Sequence, residues 1–161
     1  MDMYEKGCSK KSHRACAALG RMYEAGQGVD KDMKAALQFY EKSCKLDSEI
    51  ACNNIGVLYF NEKKYEKAKS WFEKACNLKN GVGCYNTGFL YANGMGVKQD
   101  ISAMLRLYNR GCELNSIEAC AALGELHEKG GNKNEDFRIS VFKDTEYAVC
   151  CSLYGCISYW P

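Results

Sequence analysis

The sequence predicts an all-α fold, a solenoid of stacked helix-turn-helix repeats, and two observations lead to this prediction. A nine-residue block that starts at residue 15, Ala-Cys-Ala-Ala-Leu-Gly-Arg-Met-Tyr, recurs in varied form from residues 51, 83 and 119. A shorter block that ends in cysteine follows in step at 39–44, 71–76 and 107–112. The spacings of 36, 32 and 36 residues between these blocks are typical of proteins in which each repeat packs on its neighbours.

Each block has the period of an amphipathic helix. In the first block Leu19, Met22 and Tyr23 stand at i, i+3 and i+4, so they share one helix face. The second block repeats this spacing over 35–43. Each repeat is therefore predicted to contain a first helix and a second helix, antiparallel and joined by a short loop.

Glycine and aspartate mark the loop between the two helices. Gly26 and Gly28 fall where the first helix should end, because glycine supplies the left-handed residue of a helix C-cap. Asp30 or Asp32 is then expected to cap the second helix. The second repeat lacks this loop, and residues 61–64 are expected to join its helices directly.

A glycine recurs in the middle of every predicted first helix. Glycine there costs about 1 kcal/mol relative to alanine, so its recurrence implies a steric reason. We expect the second helix to pass close to the first at each of these positions, which are Gly20, Gly56, Gly88 and Gly124.

Eight of the eleven cysteines form four pairs with one spacing. Each pair brackets the connection from a second helix to the next first helix, where Cα atoms are expected within the range of about 4.4–6.8 Å that a disulfide requires. Disulfides that pin neighbouring repeats together are the favoured interpretation, and buried thiols and a metal site are the alternatives. The pairs are Cys8/Cys16, Cys44/Cys52, Cys76/Cys84 and Cys112/Cys120, while Cys150, Cys151 and Cys156 fit none.

Together these motifs resemble a known family. The pattern Ala-x-x-x-Leu-Gly-x-x-Tyr, then Gly-x-Gly-Val, then Asp-x-x-x-Ala with an aromatic pair, is similar to the Sel-like repeat, a relative of the tetratricopeptide repeat. With its paired cysteines the chain resembles the Helicobacter cysteine-rich protein (Hcp) β-lactamase family. The resemblance covers Met3 to Gly130 and implies a Sel-like α/α solenoid stapled by disulfides.

The repeat pattern divides the chain at residue 130. We predict a Sel-like repeat solenoid over 1–130 and an aberrant tail, rich in cysteine and tyrosine, over 131–161. We interpret the chain as a family member truncated at its N-terminus and altered at its C-terminus. The predicted units of the solenoid are a half repeat (1–14), three repeats (15–50, 51–82 and 83–118) and a partial repeat (119–130).

Composition and charge exclude several classes of function. The chain has 22 basic and 20 acidic residues, a net charge of +2, which is too balanced for electrostatic binding to nucleic acid. No apolar run approaches the roughly 18 residues of a membrane-spanning helix. The opening residues 1–8 are polar and form no signal peptide, although the family resemblance implies a secreted or periplasmic protein.

The resemblance also implies β-lactamase activity, but the sequence shows no complete catalytic motif. A serine β-lactamase requires Ser-x-x-Lys, Ser-Asp-Asn and Lys-Thr-Gly elements. Ser140 and Lys143 match the first of these alone, and they lie in the tail. The two isolated histidines offer no metal-site spacing. We therefore assign no catalytic residue and expect neither a metal nor a cofactor.

The remaining candidate for function is the surface of the first helices, which line the concave face in tetratricopeptide-like stacks. We predict a scaffold that binds a peptide or protein there, and the alternative is weak binding or hydrolysis of a β-lactam or a cell-wall-related small molecule. Asparagine can bond to a peptide backbone, and aromatic rings can anchor apolar side chains. The same positions are also compatible with a surface that binds nothing. The predicted concave-face residues are Arg21, Glu24, Asn53, Val57, Phe60, Tyr85, Phe89, Asn93, Glu125 and Glu128.

Overall fold

This computed structural model describes residues 2–130, and within 127–130 it describes only the backbone. The described residues form consecutive α-helices joined by short loops. No strand occurs within this range. The all-α prediction is therefore confirmed. The helices are α1 (Asp2–Ser9), α2 (His13–Ala25), α3 (Met33–Cys44), α4 (Glu49–Asn61), α5 (Tyr65–Asn77), α6 (Gly81–Asn93), α7 (Ile101–Glu113) and α8 (Ile117–Gly130).

The helices stack in chain order as hairpins. The pairs α2–α3, α4–α5 and α6–α7 are the three predicted repeats, and each second helix also packs on the first helix that follows it. Helix α6 contacts α8 as well, so these two first helices lie side by side. The described chain is a two-layer solenoid, with α2, α4, α6 and α8 as first helices and α1, α3, α5 and α7 as second helices.

Short polar side chains start the helices. Asp32 accepts hydrogen bonds from the N–H groups of Lys34 and Ala35, so Asp32 rather than Asp30 caps α3. Asp100 caps α7 in the same way. Each first helix begins with an equivalent cap four residues before the second cysteine of a pair, at Ser12, Ser48, Asn80 and Ser116.

Residues in the left-handed conformation turn the chain at the hairpin loops. Gly26 ends α2 with φ +70° and Gly94 ends α6 with φ +63°, which confirms the predicted glycine C-cap. In the second repeat α4 ends at Asn61 and α5 begins at Tyr65, so 61–64 does join the helices directly. Lys63 takes the left-handed conformation in that join, with φ +59°.

In each complete hairpin an aromatic ring of the second helix packs on the glycine of the first helix. A Cβ atom built on the glycine would lie 2.5–2.7 Å from the nearest ring carbon, which is closer than real Cβ atoms approach any neighbour. The rings are themselves almost fully buried. This confirms the close approach predicted at three of the four glycines. The contacts pair Gly20 with Tyr40, Gly56 with Phe72 and Gly88 with Tyr108.

Gly124 departs from this pattern. Helix α8 is a first helix, but the described chain contains no second helix after it. No described atom lies within 4 Å of a Cβ built on Gly124, and the residue is exposed. The residues that follow α8 lie outside the described part of the chain, so the close approach predicted at Gly124 stays a prediction.

The hydroxyl groups of the two packed tyrosines, Tyr40 and Tyr108, have different environments. Tyr40 donates a hydrogen bond from Oη to Oε2 of Glu24 at 2.5 Å. Burial, reinforced by Glu24, raises the pKa of the Tyr40 hydroxyl. The Oη atom of Tyr108 is buried without a hydrogen-bond partner among the described residues, and burial raises its pKa too. Ala92 stands in this repeat where Glu24 stands in the first, so no carboxylate reaches Tyr108 from that position.

Replacing Gly56 with alanine should destabilise the protein. The added methyl group would lie 2.5 Å from the ring of Phe72, so the two helices must separate. We expect the free energy of unfolding, measured by urea denaturation, to fall by about 1–3 kcal/mol, despite a gain of about 1 kcal/mol in helix propensity. The matched control is Ser70→Ala on the exposed face of α5, which should leave stability unchanged or slightly raised. An equal response of the two variants would contradict the steric explanation.

The two buried tyrosines should respond oppositely to loss of the hydroxyl. Tyr40→Phe removes a hydrogen bond to a carboxylate, and we expect the free energy of unfolding to fall by about 1.5 kcal/mol. Tyr108→Phe removes an unpaired buried hydroxyl, and we expect a rise of up to about 1 kcal/mol. The natural Phe72 shows that the position accepts phenylalanine. A loss of stability in Tyr108→Phe as large as that in Tyr40→Phe would contradict this assignment.

Candidate functional site

Disulfides close every junction between consecutive repeats in the described chain. The Cα–Cα distances are 4.5–5.0 Å, within the range that disulfide geometry requires. Each bond ties the end of a second helix to the first turn of the next first helix. The disulfide prediction is confirmed for all eight cysteines, as Cys8–Cys16, Cys44–Cys52, Cys76–Cys84 and Cys112–Cys120.

The backbone of each junction loop has one recurring conformation. The residue directly before the cap of each first helix has a positive φ of 59–68° although it is not glycine. Such a left-handed residue costs about 1–2 kcal/mol, so its surroundings must hold it in place. A helix cap and a disulfide flank it at every junction. These left-handed residues are Lys11, Asp47, Lys79 and Asn115.

The two central disulfides lie in the interior of the solenoid. Cys44, Cys52, Cys76 and Cys84 are at most 2% exposed, whereas Cys120 in the last junction is exposed. Closing a loop of about nine residues is worth roughly 2.5 kcal/mol in the chain-entropy model. Each second helix is therefore held to the first helix of the next repeat by a covalent bond.

Four of the predicted concave-face side chains are buried in the structure. Tyr85 stacks on Tyr108 with 5.2 Å between ring centroids, and Phe89 packs edge-to-face on Phe60 at 6.2 Å. The four, Asn53, Val57, Tyr85 and Phe89, are each at most 4% exposed. Helices α4 and α6 have neighbours on several sides, which covers positions that the helical period alone marks as surface. These side chains pack the solenoid rather than line an open groove, a difference from the sequence-based expectation.

Other predicted concave-face residues do reach the surface. Arg21, Asn93 and Glu125 are exposed, on α2, α6 and α8, and Phe60 at the end of α4 is half-buried. Asn93 donates from Nδ2 to the carbonyl oxygen of Phe89 at 2.9 Å, which orients its side chain. Glu24 is half-buried and accepts the Tyr40 hydrogen bond, as described above. For Glu128 only the backbone position, near the end of α8, is described.

Sequence reasoning missed one residue of this layer. Asn86 of α6 donates from Nδ2 to Oδ1 of Asn53 on α4 at 2.9 Å, and both amides are buried. The bond links two consecutive first helices directly. The repeat register alone did not indicate this bond, because Asn86 stands at the repeat position of Asn54 whereas its partner is Asn53.

The described residues offer no grouping of His, Cys, Asp and Glu that could hold a metal ion. None of the helices within 2–130 is long and apolar enough to cross a bilayer. The candidate pair Ser140 and Lys143 lies outside the described residues. The same is true of Cys150, Cys151 and Cys156, which matched no partner in the sequence.

The sequence matches family models along most of its length. The Sel1 repeat model matches residues 13–48, 81–116 and 117–149, and a tetratricopeptide repeat model matches 49–81. Each match begins two residues before the corresponding predicted boundary. The Sel1 match that begins at residue 117 extends to residue 149, past the division predicted at residue 130. That division stays a prediction.

Individual proteins are similar to this chain in sequence or in structure. The chain is 50% identical over 36 residues to the protein named β-lactamase HcpA of Helicobacter pylori, covering 22% of this chain and 14% of that protein. The structure of this chain superposes on the Sel1 repeat protein of Oxalobacter formigenes with a TM-score of 0.73 and 26% identity, over 79% of this chain and 54% of that protein.

Two further solved structures are similar. A protective antigen of uropathogenic Escherichia coli, described as having an SLR fold, gives a TM-score of 0.73 at 26% identity over 81% of this chain and 29% of that chain. Helicobacter pylori cysteine-rich protein B gives a TM-score of 0.59 at 26% identity over 75% and 90% of the two chains.

The chain thus spans less than two thirds of HcpA and of the Oxalobacter protein. The repeat period, the hairpin architecture and the models matched over more than half of the sequence agree. This protein belongs to the Sel1 repeat family.

Proposed function

We propose that the chain is a binding scaffold whose layer of first helices takes an extended peptide or a protein segment. Repeat proteins of this architecture present long, continuous surfaces rather than a single deep cavity. The observation that carries the proposal is that each successive first helix has an unburied polar or aromatic side chain. These are Arg21 on α2, Phe60 on α4, Asn93 on α6 and Glu125 on α8.

Each of these side chains has a role that suits peptide recognition. The half-buried Phe60 ring, supported by Tyr65 and Phe89, offers an apolar anchor. Asn93 uses Nδ2 within its own helix, and its Oδ1 remains to accept a hydrogen bond from a peptide N–H. Arg21 lies on the first of these four helices and Glu125 on the last, and the two side chains carry opposite charges. They favour a peptide with an acidic group near α2 and a basic group near α8.

We also infer that the protein works in an oxidising compartment outside the cytoplasm. Disulfides persist in secreted and periplasmic proteins and are rare in the reducing cytosol. Four bonds of equal spacing, two of them buried, make covalent junctions a regular part of this solenoid. The similarity to the Helicobacter pylori protein named cysteine-rich protein B supports the same inference.

The alternative function is binding or hydrolysis of a β-lactam. Its support is the name of HcpA, which matches this chain over 36 residues. No Ser-x-x-Lys element occurs in residues 2–130, and Ser140 belongs to the part of the chain for which no structure is described. Linear turnover of a chromogenic cephalosporin by the purified protein, abolished in Ser140→Ala, would support this alternative over the scaffold.

The exposed side chains of the first helices should determine the affinity for a peptide. A peptide selected from a displayed library on the oxidised protein should bind with a Kd measurable by fluorescence anisotropy. We expect Arg21→Ala and Asn93→Ala each to weaken it about tenfold, the effect of losing about 1.4 kcal/mol. Gln38→Ala, exposed on the second helix α3, is the matched control and should leave the Kd unchanged. Equal affinity in all four proteins would refute binding on this face.

The compartment can be tested by counting thiols. Protein isolated from its native host is alkylated before reduction, then reduced and alkylated again, with intact mass measured each time. We expect at most three alkylated cysteines in the first step, because eight are in disulfides, and eleven in total after reduction. Eleven alkylated cysteines before reduction would place the chain in a reducing compartment and overturn the inference.

A further inference from the structure

The exposed charges on the second helices α3, α5 and α7 are mainly positive. Each of these helices has a described first helix packed on both sides, so its exposure is measured with both neighbours in place. The first helices differ, since α4 and α6 contain no basic residue. The small net charge of the chain therefore conceals an uneven distribution. The exposed charged residues of α3, α5 and α7 are Lys34, Lys42, Lys67, Lys74, Arg106 and Arg110, against Glu66 and Glu113.

Three of these cations occupy one position of the repeat. Lys42, Lys74 and Arg110 each stand two residues before the cysteine that pairs with the next first helix. Each lies in the last turn of its helix and is exposed. Equivalent positions of stacked repeats follow one another along a solenoid. We call these three residues the cation row.

Aromatic rings hold two side chains of the cation row in place. The Nζ atom of Lys42 lies 5.2 Å from the centre of the Phe39 ring. One repeat later, the Nζ atom of Lys74 lies 5.6 Å from the centre of the Trp71 ring. A ring face attracts an ammonium group but carries no net charge. The rings therefore orient these cations without neutralising them.

The cation row also lacks ion pairs within the described chain. No described carboxylate oxygen lies within 4 Å of its three charged groups, whereas Lys64 and Lys69 on the same side of the solenoid are paired with Glu62 and Glu73. A lysine or arginine in the last turn interacts favourably with the helix dipole, which gives each helix a reason for one cation. The dipole does not neutralise the cation, so the row remains able to bind an external anion.

The surroundings of the cation row indicate the class of partner. Within α3, α5 and α7 the exposed large apolar side chains are Met33 and Leu105, at 43% and 36% exposure. A protein interface needs an apolar centre, and a helix that lies on a membrane inserts an apolar face. This face has neither. It does have exposed amides at Asn77 and Asn109, which donate and accept hydrogen bonds as sugar hydroxyls do.

We propose that the cation row binds a linear polysaccharide that carries carboxylate groups. The carboxylates lie against the ammonium and guanidinium groups, and sugar hydroxyls bond to the neighbouring amides. The choice of a polysaccharide over a nucleic acid rests on the oxidising compartment inferred above, because nucleic acids belong mainly to the cytoplasm. The site is separate from the proposed peptide surface, since it lies on the second helices.

The first test is binding of labelled polygalacturonate, a linear chain with one carboxylate on each sugar. Fluorescence anisotropy is measured with the purified oxidised protein at about 0.05 M ionic strength, where screening of exposed charges is moderate. We expect saturable binding that weakens as salt is added and that neutral dextran does not compete. Absence of binding to polygalacturonate, or equal competition by dextran, would overturn the proposal.

Two double variants separate the cation row from the overall charge. Lys42→Gln with Lys74→Gln removes two cations of the row, and we expect binding to weaken about tenfold. Lys31→Gln with Lys98→Gln removes the same charge from exposed positions in the hairpin loops and should leave the affinity within about twofold. All four lysines are exposed, so both proteins should keep the parent's circular dichroism spectrum. Equal weakening in the two variants would overturn the proposal.

The fluorescence of Trp71 reports on the site without altering the cation row. The chain has two tryptophans, so Trp160→Phe leaves Trp71 as the single emitter. Because Lys74 lies over the Trp71 ring, a carboxylate bound there changes the electric field at the indole. We expect polygalacturonate to change the emission with the midpoint found by anisotropy, and dextran to leave it unchanged. Binding with no change in Trp71 emission would contradict this placement.

Anionic vesicles test the competing partner. The same protein is mixed with vesicles of phosphatidylglycerol and phosphatidylcholine, and sedimentation of the vesicles measures the bound fraction. We expect little binding, because the face lacks apolar side chains to insert. Vesicle binding that requires Lys42 and Lys74, without binding to polygalacturonate, would assign the face to a membrane and overturn the proposal. These measurements use oxidised protein, so they remain distinct from the thiol count that tests the compartment.

Discussion

The contact between an aromatic ring and a bare glycine backbone sets the distance between the two helices of each hairpin. The rings of Tyr40, Phe72 and Tyr108 occupy the space that a Cβ atom would take on the opposing helix. Protein interiors are packed too densely to absorb an extra methyl group at such a point without moving the backbone. The width of the solenoid, and the faces that remain for the next repeat, follow from this spacing.

A second, equally local device fixes the angle between consecutive hairpins. Each junction combines a helix cap, a left-handed residue and a disulfide within nine residues of chain, as in the segment from Cys44 to Cys52. Because both devices act between neighbours in sequence, the architecture needs few contacts between distant segments. The direct bond from Asn86 to Asn53 adds a third link, between the first helices themselves.

Features that recur at the same position of each repeat were predictable from the sequence, because the same residue type has the same structural role in each repeat. The paired cysteines, the mid-helix glycines and the glycine C-caps are of this kind. Burial on the first helices was not predictable, since the helical period shows which residues share a face but not what lies opposite. Tyr85 and Asn53 were therefore expected at the surface and are found inside. Gly124 shows the converse, a repeated residue whose partner the described chain does not contain.

The placement of the disulfides also determines what a break in the peptide backbone does to the molecule. Lys11, Lys45 and Lys79 are exposed and lie in loops that a cysteine pair encloses, so hydrolysis beside them leaves both sides joined through sulfur. Lys31 and Lys98 are also exposed, but they lie in hairpin loops that none of the four pairs spans. A protease that cuts after lysine in these loops therefore separates the two helices of a repeat, whereas a cut at a junction leaves consecutive repeats covalently joined.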